Sequence, residues 1–234
     1  MIVKIPSTKI FFKDYSWHSG RFHFAFGDYQ DSCNQRFGVL TALNDFIVQP
    51  ESGFETHPHS EMEIISYCVH GSLTHKDDLG EKSILTIGDS QYTCTGSGIT
   101  HSEMNHDKRE ALRFLQIWIE PMEKGLQPLY KIKKNLPSRG NGHFHHLVSG
   151  EKIEGVMQIA QDANVFTAIL ERDRPIEYKN TPDRQSYICC LEGGLLANNL
   201  AIDAYDAMKV WGNESFLFST DEHAHILIVE MAVE

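Results

Sequence analysis

The chain has 234 residues, enough for one large domain or two small ones at roughly 100–200 residues per domain. Its 41% apolar content supports a buried core and argues against disorder. A formal charge of -11, with acids spread along the chain, repels phosphate backbones and anionic lipid heads and argues against direct nucleic-acid or membrane binding.

Taken in chain order, the N-terminus is interrupted by Lys4, Ser7, Thr8 and Lys9, so no signal-peptide core follows Met1. No later apolar run reaches the ~20 residues needed to span a bilayer. Five cysteines, of which only Cys189 and Cys190 are adjacent, read as free thiols in a reducing compartment. A cytoplasmic protein is expected.

Short apolar and β-branched runs follow at Phe37–Leu43, Glu63–Val69, Ser83–Ile87 and Arg113–Ile119, with a turn cluster at His75–Gly80. Next come Glu120–Pro128, with two prolines, and Pro137–Gly142, which reads as a loop. Further runs are Val165–Leu170, Ser186–Leu191 and Ala224–Val233, with a Gly193-Gly194 turn. Long amphipathic helices are missing; at most Tyr130–Lys134 forms a turn or two of helix. Many short strands with frequent turns predict an all-β sandwich or barrel. The break after Ile119 divides the chain into two lobes, taken as 1–130 and 131–234. A faint repeat supports the division: Ile65–Leu73 resembles Tyr187–Leu195, and each copy precedes an Asp-containing turn, Gly88-Asp89 and Tyr205-Asp206.

His57-Pro58-His59 and His101-Ser102-Glu103 carry the chemistry. On a strand, residues i and i+2 share a face, so each pair aims two donor atoms at one space. Three imidazoles and one carboxylate suit a single Fe, Ni, Cu, Zn or Mn ion and argue against Ca and Mg. Two other clusters, His143/His145/His146 and His223/His225, have no partner pair in their own lobe and read as structural. Cys94 reads as a buried, inert thiol, Phe114 and Trp118 as core, and Gly96 and Gly98 as a tight positive-φ turn. His75 and His106 are turn-side and stay undecided between solvent and the surroundings of the site.

Phe54–His59, continued by Glu61–Tyr67 and Gly71, resembles the first cupin motif as pirins write it, and Gly88–Glu103 resembles the second. Phe26–Tyr29, Val39–Asp45 and Phe114–Ile119 add to the likeness, which is strong to about residue 130; beyond it Ile159–Ala163 is a softer echo. The resemblance implies a bicupin: two double-stranded β-helix barrels in one chain, the first binding metal and the second degenerate and empty. It implies His57, His59, His101 and Glu103 as ligands of one divalent transition-metal ion, iron favoured. General cupins instead use a glutamate four residues after the second histidine, here Glu63. By parity Glu63 would share the face of His57 and His59, as alternate ligand, catalytic base or outer-shell partner. In the second lobe, counting from the repeat places the matching positions near Lys179 and Thr181 and within Glu214–Phe218.

By resemblance, the expected activity is that of a quercetin 2,3-dioxygenase, opening the ring of a flavonol or another enolisable compound with O2. Glu103 or Glu63 would act as base. Two alternatives remain, a metal-binding regulatory module acting on a transcription or metabolic protein partner and a metal-dependent isomerase. Lobes that cover each other's sheet edges favour a monomer.

Overall fold

The computed structural model describes residues 1–134 and 142–233. It is all-β and divides into two compact units. One comprises Phe11–Pro137 with Ile159–Gln161; the other comprises Met1–Ile10, Ser138–Gln158 and Asp162–Glu234. The units therefore depart from the 1–130 and 131–234 division: Met1–Ile10 joins the later unit, Ile159–Gln161 joins the earlier one, and the earlier unit runs on past residue 130, which lies inside the strand Leu129–Lys133. The Pro137–Gly142 loop falls, except for Gly142, outside the described residues. No helix among the described residues is long and apolar enough to cross a membrane.

The first strand, β1 (Ile2–Ile5), belongs to the second unit. The first unit runs through β2 (Phe11–Asp14), β3 (His18–Phe22), β4 (Leu40–Val48), β5 (Ser52–His59), β6 (Glu63–His70) and β7 (Ser72–Asp77). It continues with β8 (Lys82–Thr86), β9 (Ser90–Cys94), β10 (Ile99–Asn105), β11 (Leu112–Ile119) and β12 (Leu129–Lys133). A seven-stranded sheet, ordered β12-β9-β6-β11-β4-β3-β2, and a four-stranded sheet, β5-β10-β7-β8, enclose one core. Phe46, Cys68, Leu112 and Phe114 of the first sheet pack with Leu73 and Leu85 of the second. Alternate residues of each strand thus bury apolar surface between the sheets, the main stabilising term of such a layered fold.

The second unit contains β13 (His145–Ser149), β14 (Met157–Gln158), β15 (Ala163–Glu171), β16 (Ile176–Asn180) and β17 (Arg184–Ala197). It ends with β18 (Leu200–Asp203), β19 (Ala207–Trp211), β20 (Glu214–Ser219) and β21 (His223–Ala232). Its order β1-β19-β17-β21-β15-β13-β14 matches that of the seven-stranded sheet as far as β13, with β1 in the place of β12, while β14 pairs parallel with β13 where β2 is antiparallel to β3. The duplication extends to side chains. Buried Cys68 and Cys190 each precede a glycine of positive φ, Gly71 at 77° and Gly193 at 71°. A Cβ there would lie 2.6 Å from the Ala111 carbonyl oxygen and 2.0 Å from that of His223, so only glycine fits the bend. Asp89 meets Lys134 at 2.7 Å, and Asp206 meets Lys4 at 2.8 Å. The faint sequence repeat is therefore a repeat of structure.

Two expectations are corrected. Leu129–Lys133 is a strand, not a helical turn, because it adds to the edge of β9 and Tyr130 reaches inward to donate to Gln91 Oε1 at 3.0 Å. In the second unit the inward positions are Tyr178 and Asn180 rather than Lys179 and Thr181, which fall on the opposite parity. There Tyr178, Phe216 and Phe218 join the apolar core, with the two Phe rings stacked 5.5 Å apart.

Candidate metal centre

β5 and β10 pair antiparallel, with His101 opposite His57 and Ile99 opposite His59. Between His101 and Glu103 the register slips: Glu103 lies opposite Phe54, so one residue on β10, Ser102, faces two on β5, Glu55 and Thr56. The extra residue is a β-bulge, and Glu55 and Thr56 at the bulge are both exposed. It lets Phe54 and His57, three apart in sequence, both turn inward. The Glu55 carbonyl also accepts a 2.6 Å hydrogen bond from His57 Nδ1, which leaves Nε2 of that ring as the free donor atom.

The rings of His57, His59 and His101 stand 4.6–4.8 Å apart, centroid to centroid, and their ligand atoms all lie within 4.8 Å of one another. His59 Nε2 and both ring nitrogens of His101 are buried without a hydrogen-bond partner. Burial, then the neighbouring His101 and His57 rings, pushes His59 down to about 4. Burial, then His57 and His75, pushes His101 down to about 3. Both rings are thus neutral near pH 7, the state in which imidazole binds a metal. Three clustered imidazoles, two of them neutral with unpartnered nitrogens, fit one metal ion, and among the described residues this is the group that can hold one.

Glu103 lies on the same inward face of β10 as His101 and is 1% exposed. Three side chains of the opposite sheet donate to it: Ser66 Oγ and Gln91 Nε2 to Oε1, each at 2.8 Å, and Gln116 Nε2 to Oε2 at 2.6 Å. Ser66, Gln91 and Gln116 form one row, since Gln116 pairs with Ser66 and Ser66 with Gln91. No sequence motif announced these donors, although Ser66 and Gln116, polar residues within apolar strands, were a usable signal.

Neither Glu103 nor Glu63 is part of the 4.8 Å histidine group, and Glu63 is not on the inward face at all. β5 ends at His59, the chain turns through Glu61 at φ 54°, and Glu63 opens β6 in the other sheet. It is three residues from inward-facing Ser66 and so occupies the opposite face of that sheet. Its carboxylate accepts from Tyr92 Oη at 2.5 Å, Ala160 N at 2.6 Å and Gln161 N at 2.8 Å. Burial pushes this carboxyl up against the pull of those donors. The parity expected from His57 and His59 was broken by the turn.

Trp118, expected as core, is instead part of the wall: its ring meets His59 edge-on at 5.0 Å and its Nε1 donates to Gln116 Oε1 at 2.9 Å. Phe114 and Cys94 are buried as expected, and burial pushes the Cys94 thiol up. His75 is fully buried, donates Nε2–H to Asp77 at 3.0 Å, stacks on Tyr130 at 4.3 Å and meets the edge of His101. His106 is exposed. Gly96 and Gly98 take φ of 41° and 140°. His146 bonds Asn164, and His225 bonds Thr167 and faces Glu192 at 3.5 Å; neither joins a metal-ligand group. A recess of about 300 Å³ opens at His59, lined by Pro58, Ser60, Asp78, Gly98, Ile99 and Thr100.

Comparison with known proteins follows the same lines. The pirin family model matches residues 6–119, and that of the quercetinase C-terminal cupin domain matches residues 146–231. A pirin-like protein of Caulobacter vibrioides is 34% identical over 99% of this chain and 100% of its own length. A quercetin 2,3-dioxygenase of Escherichia coli is 28% identical over 92% of this chain and 90% of its own. The crystal structure of the bacterial pirin YhhW from Escherichia coli in complex with nickel(II) superposes with a TM-score of 0.92 at 26% identity, covering all of both chains.

Proposed function

The chain belongs to the pirin family, and from that premise we propose that it is a metal-dependent dioxygenase that opens the ring of quercetin-like flavonols, or of another enolisable ring compound, with O2. The observation that carries the reading is the cluster of His57, His59 and His101, whose ligand atoms lie within 4.8 Å of one another and in which His59 Nε2 and both His101 nitrogens have no hydrogen-bond partner, with Glu103 on the same inward face of β10 as His101. In this reading the four residues hold one divalent ion, iron first among Fe, Ni, Cu, Zn and Mn. When bound, the ion supplies Lewis acidity that favours the enolate over the enol form of the substrate.

The chain's own residues supply the rest. The Glu55 carbonyl orients His57, and Trp118 packs on His59, so two of the rings are held before any ligand arrives. A carboxylate has about four lone-pair sites, and Ser66, Gln91 and Gln116 use three of those on Glu103. The remaining site is available to the ion or to the proton of the substrate hydroxyl. Of the two glutamates expected as base, Glu103 is the one on the inner face. The three donors hold its carboxylate in place on that face. Burial in a core of low dielectric strengthens each of these interactions.

The experiment is quercetin and oxygen consumption by protein loaded with each metal in turn, beside His101→Ala. Activity in the loaded wild type, and loss of both metal and activity in the variant, supports the reading. A fully loaded wild type that consumes no oxygen with quercetin or other enolisable ring compounds overturns it.

A further inference from the structure

We propose that Asn44 contacts the organic ligand, its amide holding a hydroxyl or keto–enol oxygen of the molecule that enters beside the histidines. The identity of that molecule rests on the dioxygenase reading. Asn44 lies on β4 directly opposite Gln116 and extends the polar row to Asn44-Gln116-Ser66-Gln91. Opposite residues of antiparallel strands share a face, so Asn44 faces the same interior as the side chains that hold Glu103. The other three members are committed to that carboxylate. Asn44 is not: it is 0% exposed, and neither its Nδ2 nor its Oδ1 has a hydrogen-bond partner.

Such a residue costs stability unless something pairs with it, because a buried amide loses its water without recovering the bonds. Its neighbours do not account for it. Across the strands stand Phe22 and Gln116, and along the same face of β4 stand Ala42 and Phe46. Ala42 lies in register with Trp118, the ring that packs on His59. On the side toward the histidines Asn44 is therefore bordered by a methyl group. An amide offers one acceptor and one donor group, which matches a hydroxyl, or a hydroxyl beside a carbonyl, on an otherwise flat apolar molecule.

The test is Asn44→Leu, close in size and unable to hydrogen-bond, made in the full-length protein. Quercetin Kd is measured without oxygen, and KM and kcat with it, alongside metal content and the Tm of ligand-free protein. The expected result is an unchanged or higher Tm, unchanged metal, and a Kd and KM for quercetin raised at least tenfold with a smaller change in kcat. A lower Tm with unchanged Kd overturns the proposal, since Asn44 then serves the fold through a buried water. Loss of metal also overturns it. A wild type that binds quercetin without consuming it removes the dioxygenase reading while the Kd ratio still judges Asn44. A wild type that does not bind quercetin removes both.

Discussion

Replacing Glu63 separates a structural carboxylate from a metal ligand. In the wild type it is fully buried and satisfies three donors, two of them backbone N–H groups of Ala160 and Gln161. Glu63→Gln keeps one carbonyl oxygen and turns the other acceptor into an NH2 that faces a donor. A hydrogen bond to a charged group contributes about 1.5–3 kcal/mol, and leaving a buried donor unsatisfied costs about 1–3 kcal/mol. Relief of the buried charge offsets part of this, so a net loss of about 2 kcal/mol is expected. At roughly 2–4 °C per kcal/mol for a chain of this size, Tm should fall by about 4–8 °C. Glu63 lies on the opposite face of its sheet and is committed to Tyr92, Ala160 and Gln161, so metal content should not change. The assay is thermal unfolding with and without chelator, beside metal analysis of the same sample. Loss of the metal with an unchanged Tm would refute the assignment and return Glu63 to the role it has in general cupins.

Replacing His143, His145 and His146 together, or His223 with His225, should leave metal stoichiometry unchanged; loss of one equivalent from either set would reveal a second site. His23 gives a pH test away from the metal centre. Burial first, then the Arg21 charge, pushes His23 down to about 3, while in the unfolded chain it titrates near its ordinary 6.5. The unfolded state therefore takes up the proton first, so stability is full above about pH 6.5 and declines toward pH 3 by about 1.4 kcal/mol per unit. His23→Phe should flatten the acid limb of urea-derived stability measured with chelator present. An unchanged slope would show that His23 is protonated in the folded protein.

What the sequence makes legible is local. His57/His59 and His101/Glu103 could be read as pairs because strand parity acts over two residues and each pair stays within one strand. The Ile65–Leu73 and Tyr187–Leu195 echo was legible because a bend that only glycine can make imposes the same residue at Gly71 and Gly193. Parity failed wherever the chain left its strand. Glu63 was misplaced because a left-handed residue at Glu61 carries the chain into another sheet. The bulge at Glu55 and Thr56, which brings Phe54 to the inward side, follows from strand register and has no local signature. Pairings between distant residues were equally hidden: β1 joins β19 some two hundred residues away, and Glu103 is held from β6, β9 and β11. The sequence by itself determined which donor atoms exist and which neighbours share a face, because those follow from backbone geometry over a few residues. Only the tertiary structure decided which strands stand opposite one another, and so which side chains hold Glu103, which donors hold Glu63 and which amide is left without a partner. Those outcomes depend on the register of strands far apart in the chain.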